Sequence, residues 1–128
     1  MSDYTIKNLQ EIDDAAPAFG LSPSLEARFG RKSLDCEKGG VSYEKLAPNF
    51  RVPFGHVHAA QEEVYVIASG SGRIKLEDEI LDIKQWDFIR VSPGTTRNFE
   101  AGPDGMEIIA FGAGEAGDAE TIPGWWAD

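Results

Sequence analysis

The chain is poor in residues that cross-link or ligate. Among 128 residues there is one cysteine, Cys36, and there are two histidines, His56 and His58. A single cysteine excludes an internal disulfide and points to a reducing compartment. Two histidines limit any imidazole site to two such ligands. No run of 18 apolar residues occurs, and the opening stretch MSDYTIKNLQEIDD is polar and acidic. Neither a membrane span nor a signal peptide is therefore expected, and the protein is expected to be cytoplasmic. Basic residues are scarce too: 12 Lys and Arg stand against 22 Asp and Glu, a net charge of −10. Nucleic-acid binding needs a basic footprint, and anionic membranes repel acidic surfaces, so neither partner is expected. The acidic excess reads as a solubility device. The acidic pair Asp13-Asp14 lies outside the regular part of the chain, which argues against a carboxylate dyad for glycoside chemistry.

What is present is a globular composition, 41% hydrophobic and 10% aromatic, sized for one domain spanning residues 1–128. Residues Leu9 to Ala15 form a candidate short helix, capped by Asn8 and stopped by Pro17 and Gly20. The rest punctuates into short strand-like runs. These are 24–34 (interrupted by Gly30), 41–48, 49–58, 63–69, 73–77, 80–84, 85–91, 97–101 and 106–113. Turns are expected at 37–40, 70–72, 92–96 and 102–105. Pro53 restricts the 49–58 run to an edge or an irregular path. Many short strands without long helical patterns between them predict an all-β sandwich or barrel. The barrel core is expected at about 41–113, with an N-terminal extension over 1–40 and a C-terminal tail over 114–128.

The stretch HVHAAQEEVYVIASG, His56 to Gly70, carries the chemistry. Side chains at i and i+2 of a strand share a face, so His56 and His58 aim into one space. Glu63 opens the next strand-like run. Two imidazoles and a carboxylate converging from neighbouring strands make either a metal site or a small polar pocket. Glu62 points the opposite way and reads as a surface carboxylate. Tyr65 shares the face of Glu63, Phe54 that of the histidines, and Phe99 that of Arg97. These are candidate pocket walls or core. Arg73 and Arg90 read as surface charges, and Trp86 as a strand residue covering one end of the barrel. Cys36, flanked by Asp35 and Glu37, is disfavoured as a nucleophile. Trp125 and Trp126 need apolar surface to pack against, on the barrel or on a partner subunit.

The spacing of His56, His58, Glu63 and Gly70 resembles the first motif of the cupins. The stretch WDFIRVSPGTTRNFEAG (86–102) resembles the second, with Pro93 and Gly94 in place. The resemblance implies an all-β double-stranded β-helix, the small jelly-roll barrel, often dimeric, here with a short N-terminal helical or irregular segment. It also implies that His56, His58 and Glu63 hold a divalent metal such as Fe, Mn, Zn or Ni. Phe50, Trp86 and Ser92 depart from the pattern harmlessly. Arg97 departs seriously, because it stands where the family usually places its last metal-binding His.

Two His and one carboxylate still form a recognised ligand set. Arginine cannot ligate, and a guanidinium about 5 Å from a divalent ion costs roughly 6–7 kcal/mol at an effective dielectric of ~20. Three readings follow: a metal-dependent oxygenase or isomerase with Arg97 anchoring an anionic substrate, a metal-free ligand-binding pocket, or a structural barrel. In the first a small, anionic molecule is the expected ligand, and in the second a small ligand anchored by Arg97 and the histidines; Arg97, Tyr65, Phe54 and Phe99 are the candidate ligand contacts. A homodimer is the expected assembly. Catalytic residues are not assignable from the sequence.

Overall fold

The computed structural model describes residues 3–113 and 117–126. Eight strands form one curled antiparallel sheet: β1 (Leu25–Phe29), β2 (Gly39–Leu46), β3 (Phe54–His58), β4 (Glu62–Leu76), β5 (Glu79–Lys84), β6 (Phe88–Val91), β7 (Arg97–Ala113) and β8 (Ala119–Pro123). Two strands organise the rest. The first half of β4 pairs with β6 and with the second half of β7, which continues to β2 and β1. The second half of β4 pairs with β5 and with the first half of β7, which touches β3 at His56↔Arg97. Strand β3 in turn pairs with β8. Thus β4 and β7 pass from one half of the roll to the other. Their inward residues Ile67, Ile74, Phe99, Met106 and Ile108 meet Leu46 and Val91 in one core, each at most 2% exposed. This is the all-β roll that the strand spacing predicts. Among the described residues, no helix is long and apolar enough to cross a membrane.

Several element boundaries differ from the sequence reading, each for a local reason. The stretches 70–72 and 102–105 are not turns but bends inside β4 and β7. Register shifts between Ile67 and Ser69 and between Gly70 and Gly72 mark bulges, and Gly70 takes φ 76° and Gly105 φ 76°. Glycine here supplies a left-handed residue that bends the strand without ending its pairing. The expected helix from Leu9 to Ala15 is instead two 3-10 turns, Leu9–Glu11 and Ala16–Phe19. Asn8 does cap the first, accepting from Gln10 N–H at 3.0 Å while Glu11 accepts from Asn8 N–H at 2.9 Å. Asp14 breaks the helical path by accepting from Ala16 N–H and Ala27 N–H, both at 2.9 Å, which ties the segment to β1.

Strand β1 stops at Phe29, and the Gly30 N–H that follows donates to the Val41 carbonyl at 2.8 Å. Strand β2 starts within the expected 37–40 turn, at Gly39, and β3 starts only after Pro53. Trp86 does not begin a strand or cover the barrel. It sits in a tight turn at φ 73° and is 65% exposed, because its N–H donates to the Ile67 carbonyl at 2.7 Å.

The expected tail contains β8, which the sequence reading missed; residues 114–116 and 127–128 lie outside the described residues. Beyond β8 the tryptophans pack onto the barrel. Trp126 Nε1 donates to the Val52 carbonyl at 2.7 Å, with the Arg51 guanidinium 4.5 Å from the ring centroid. Lys75 Nζ lies 4.5 Å from the Trp125 centroid, and Gly55 leaves the room that ring needs.

The bend in β4 is testable. A Cβ on Gly70 would stand 2.1 Å from the Gly105 carbonyl oxygen, on a left-handed backbone. Gly94 is also left-handed (φ 81°), but nothing lies within 4 Å of its Cβ position. Gly94→Ala is expected to cost only the conformational strain, about 1–2 kcal/mol. Gly70→Ala adds a backbone clash and is expected to cost at least about twice that. Denaturant unfolding of both variants measures the difference.

Candidate functional site

The site forms where β3, β4 and β7 meet. Strand alternation places His56 and His58 on one face of β3, and Glu63, Tyr65 and Ile67 on the inner face of β4. The ladder sets Arg97, the first residue of β7, directly opposite His56. Both imidazoles turn Nε2 toward one oxygen: His56 Nε2 lies 3.6 Å and His58 Nε2 3.5 Å from Glu63 Oε1. The rings stand nearly perpendicular, 84° apart, with centroids separated by 5.3 Å.

The same Glu63 oxygen accepts from Arg97 Nη2 at 2.5 Å and from the Tyr65 hydroxyl. Arg97 is 0% exposed. Its Nε donates to the Tyr65 oxygen at 3.0 Å and its Nη1 to the Thr95 carbonyl at 2.9 Å. The Tyr65 hydroxyl also lies 3.3 Å from His56 Nε2, and its ring meets Phe99 edge-on at 4.9 Å. His58 is held from behind, its Nδ1 2.8 Å from Asp118 Oδ1. The other Asp118 oxygen accepts from Ala60 N–H at 2.8 Å and Gln61 N–H at 2.9 Å.

These contacts separate the two imidazoles electrically. Burial pushes His56 below the usual histidine range, and Arg97 adds to that, against the pull of Glu63. His58 is raised by its bond to Glu63 and, behind it, by Asp118, with burial opposing. Burial alone would raise the Glu63 carboxyl. Hydrogen bonds from His56, His58, Tyr65 and Arg97 outweigh it and hold Glu63 ionised far below the ordinary carboxylate range. Burial and the Glu63 charge together push the Tyr65 phenol well up, so it stays a neutral donor.

The residues singled out from sequence sort as follows. His56, His58, Glu63, Tyr65 and Arg97 come together, with Phe99 packed behind Tyr65. Phe54 is partly buried against the core at the start of β3. Glu62 is exposed and faces away, 3.4 Å from the surface Arg90, and Arg73 pairs instead with Glu100. Sequence reasoning missed Asp118, which lay in a segment read as tail and reaches His58 only through the β3–β8 pairing. It missed Thr95, whose contribution is a backbone carbonyl and leaves no mark in residue type. It also passed over Glu44. That residue shares the face of buried Leu46 and pairs across the sheet with buried Ala27 and Ile108. The alternation along 41–48 was the available signal.

Because His58 is raised, its stabilising charge is fully present below its unfolded value, about 6.5, and is lost as pH rises through the higher folded value. Asp118→Asn removes one source of that shift. The variant is expected to lose about 1–2 kcal/mol near pH 5.5, and less near pH 9 where the imidazole is neutral. Thermal melts at the two pH values measure it.

No family model and no curated protein matches this chain. Solved structures do. A cupin protein from Bacteroides fragilis superposes with a TM-score of 0.72 at 25% identity, over 94% of this chain and 91% of that one. A Streptomyces PAC13 variant with uridine superposes with a TM-score of 0.76 at 16% identity, over 96% and 93%. PAC13 is described as a nucleoside dehydratase. KdgF from a Halomonas species superposes with a TM-score of 0.65 at 15% identity, over 91% and 97%. The curled sheet with two bent, shared strands and the match along nearly the whole length of these proteins lead to one statement: the chain is a small cupin-fold domain.

Proposed function

We propose that this barrel binds a small, uncharged polar molecule and does so without a resident metal. The observation that carries this reading is the state of Glu63. Its Oε1 already accepts from Arg97 and Tyr65. Arg97 is in turn tied to the Thr95 carbonyl and has no exposed surface into which to withdraw. A divalent ion beside that guanidinium meets the repulsion of about 6–7 kcal/mol that a separation near 5 Å implies. The residues present therefore do not fit such an ion. Arg97 acts as the clamp of Glu63 and not as a direct contact for an anion. Its charge is balanced by Glu63, and that of a protonated His58 by Asp118, so the pocket has little net charge to offer an anionic ligand. What remains for a ligand is hydrogen bonding from the imidazoles and the carboxylate, set against apolar walls. Uridine, the molecule held by the PAC13 variant, is of this uncharged class.

A second reading has one observation in its favour. His56, His58 and Glu63 each bring a potential ligand atom within a 4.8 Å group, the donor set of a two-histidine, one-carboxylate metal centre. It requires Glu63 to release Arg97.

Metal analysis separates the two. Protein purified without a histidine tag and supplemented with Fe, Mn, Zn or Ni is expected to retain less than about a tenth of an equivalent. Arg97→His removes the repelling charge and adds an imidazole, and is expected to raise retention toward one equivalent. Stoichiometric metal in the unmodified protein, lost in His56→Ala, overturns the proposal.

A further inference from the structure

Glu44 is an ionisable group in the middle of the barrel wall that the Glu63 cluster does not use. It lies on β2 between buried Ala27 of β1 and buried Ile108 of β7, on the same face as buried Leu46. That face looks into the roll, toward Ile67 of β4, the next residue across from Ile108. Its flanking residues Tyr43 and Lys45 face outward, where Tyr43 donates to Glu107. Glu26 and Arg28 of β1 also lie on the outer side, paired with each other at 2.6 Å. Among the described residues, the charge that acts on Glu44 is that of Glu63, across the interior.

Among the described residues, no hydrogen bond or ion pair reaches the Glu44 carboxyl. Yet the residue is only half-buried, and its oxygens are not sealed in. An inward carboxyl that is accessible and has no protein partner is free to hydrogen-bond a molecule that enters the roll.

We propose that Glu44 is the acid–base group of this pocket: it hydrogen-bonds the molecule bound against the His56–His58–Glu63 cluster and exchanges a proton with it. In the forward direction the Glu44 O–H bond breaks as an O–H bond forms to a ligand oxygen. The carboxylate left behind regains its proton from water. The ligand must therefore carry a hydroxyl or carbonyl oxygen on the side facing β2, in addition to the polar groups that meet the imidazoles. Burial, and then the Glu63 charge, raise the Glu44 carboxyl to about 7, which keeps both protonation states accessible near neutrality. The proposal rests on the pocket reading above, and its test keeps the two apart.

The ligand-free arm uses carbodiimide with glycinamide on the whole protein near pH 6, read by peptide mass spectrometry. Glu44 is expected to be amidated at least about tenfold faster than Glu63, which is ionised and shielded by Arg97. Equal labelling, or labelling of Glu63 alone, overturns the proposal. The ligand arm measures uridine and glucose binding in chelator, on wild type and Glu44→Gln, near pH 6 and pH 8.5. Wild-type affinity for the probe that binds is expected to fall about tenfold or more beyond the fall seen in Glu44→Gln, whose remaining slope is that of His58. A parallel fall in the variant overturns the proposal, since a purely structural glutamate would leave the binding profile in place. If neither probe binds wild type, the pocket reading is what fails, and the labelling arm still decides Glu44. Glu44→Gln removes an ionised group that is disfavoured beside Glu63. The variant is expected to melt above wild type near pH 8.5, so lost binding is not lost folding.

Discussion

One carboxylate oxygen organises the interior of this barrel. Glu63 Oε1 is the common target of a guanidinium, a phenol and two imidazoles drawn from three strands. A buried guanidinium is tolerable only when its charge is met and its N–H groups are filled. Arg97 satisfies both conditions through Glu63, Tyr65 and Thr95. Tyr65 acts as a link, donating a hydrogen bond to Glu63 and accepting one from Arg97. Each member is satisfied by the others, so the network fixes where β3 and β7 sit relative to β4.

The fold delivers these groups by bending rather than by turning. Strands β4 and β7 each run past a glycine in the left-handed region and keep their hydrogen-bond partners on both sides of the bend. One strand can then present Glu63 and Tyr65 to the site and Ile74 to the core of the other half. The price is a contact between Gly70 and Gly105 close enough to exclude any side chain at the first.

Much of this was legible in the sequence. Period-2 alternation located most strands, and the spacing of His56, His58 and Glu63 foretold that these three side chains cluster, because strand parity is strict. The glycine clusters were misread because the same residue that permits a chain reversal permits a bulge, and only the partner strand decides which occurs. The helix at Leu9–Ala15 was misread because Asp14 bonds across to β1, a contact 13 residues away. Asp118 was invisible because it acts on His58 through a pairing of β3 with β8. Arg97 was recognised as out of place in a metal site, but its burial and its three acceptors belong to the tertiary structure alone.

The carboxylate that steadies His58 stands just before β8, 60 residues further along the chain. No early folding unit built from β3 and β4 contains it, and closing so long a loop is slow compared with forming local hairpins. The roll can therefore collapse around its apolar core before the second imidazole is oriented. The setting of that imidazole is then the last detail this chain acquires, and the first that loosening of its final strand would remove.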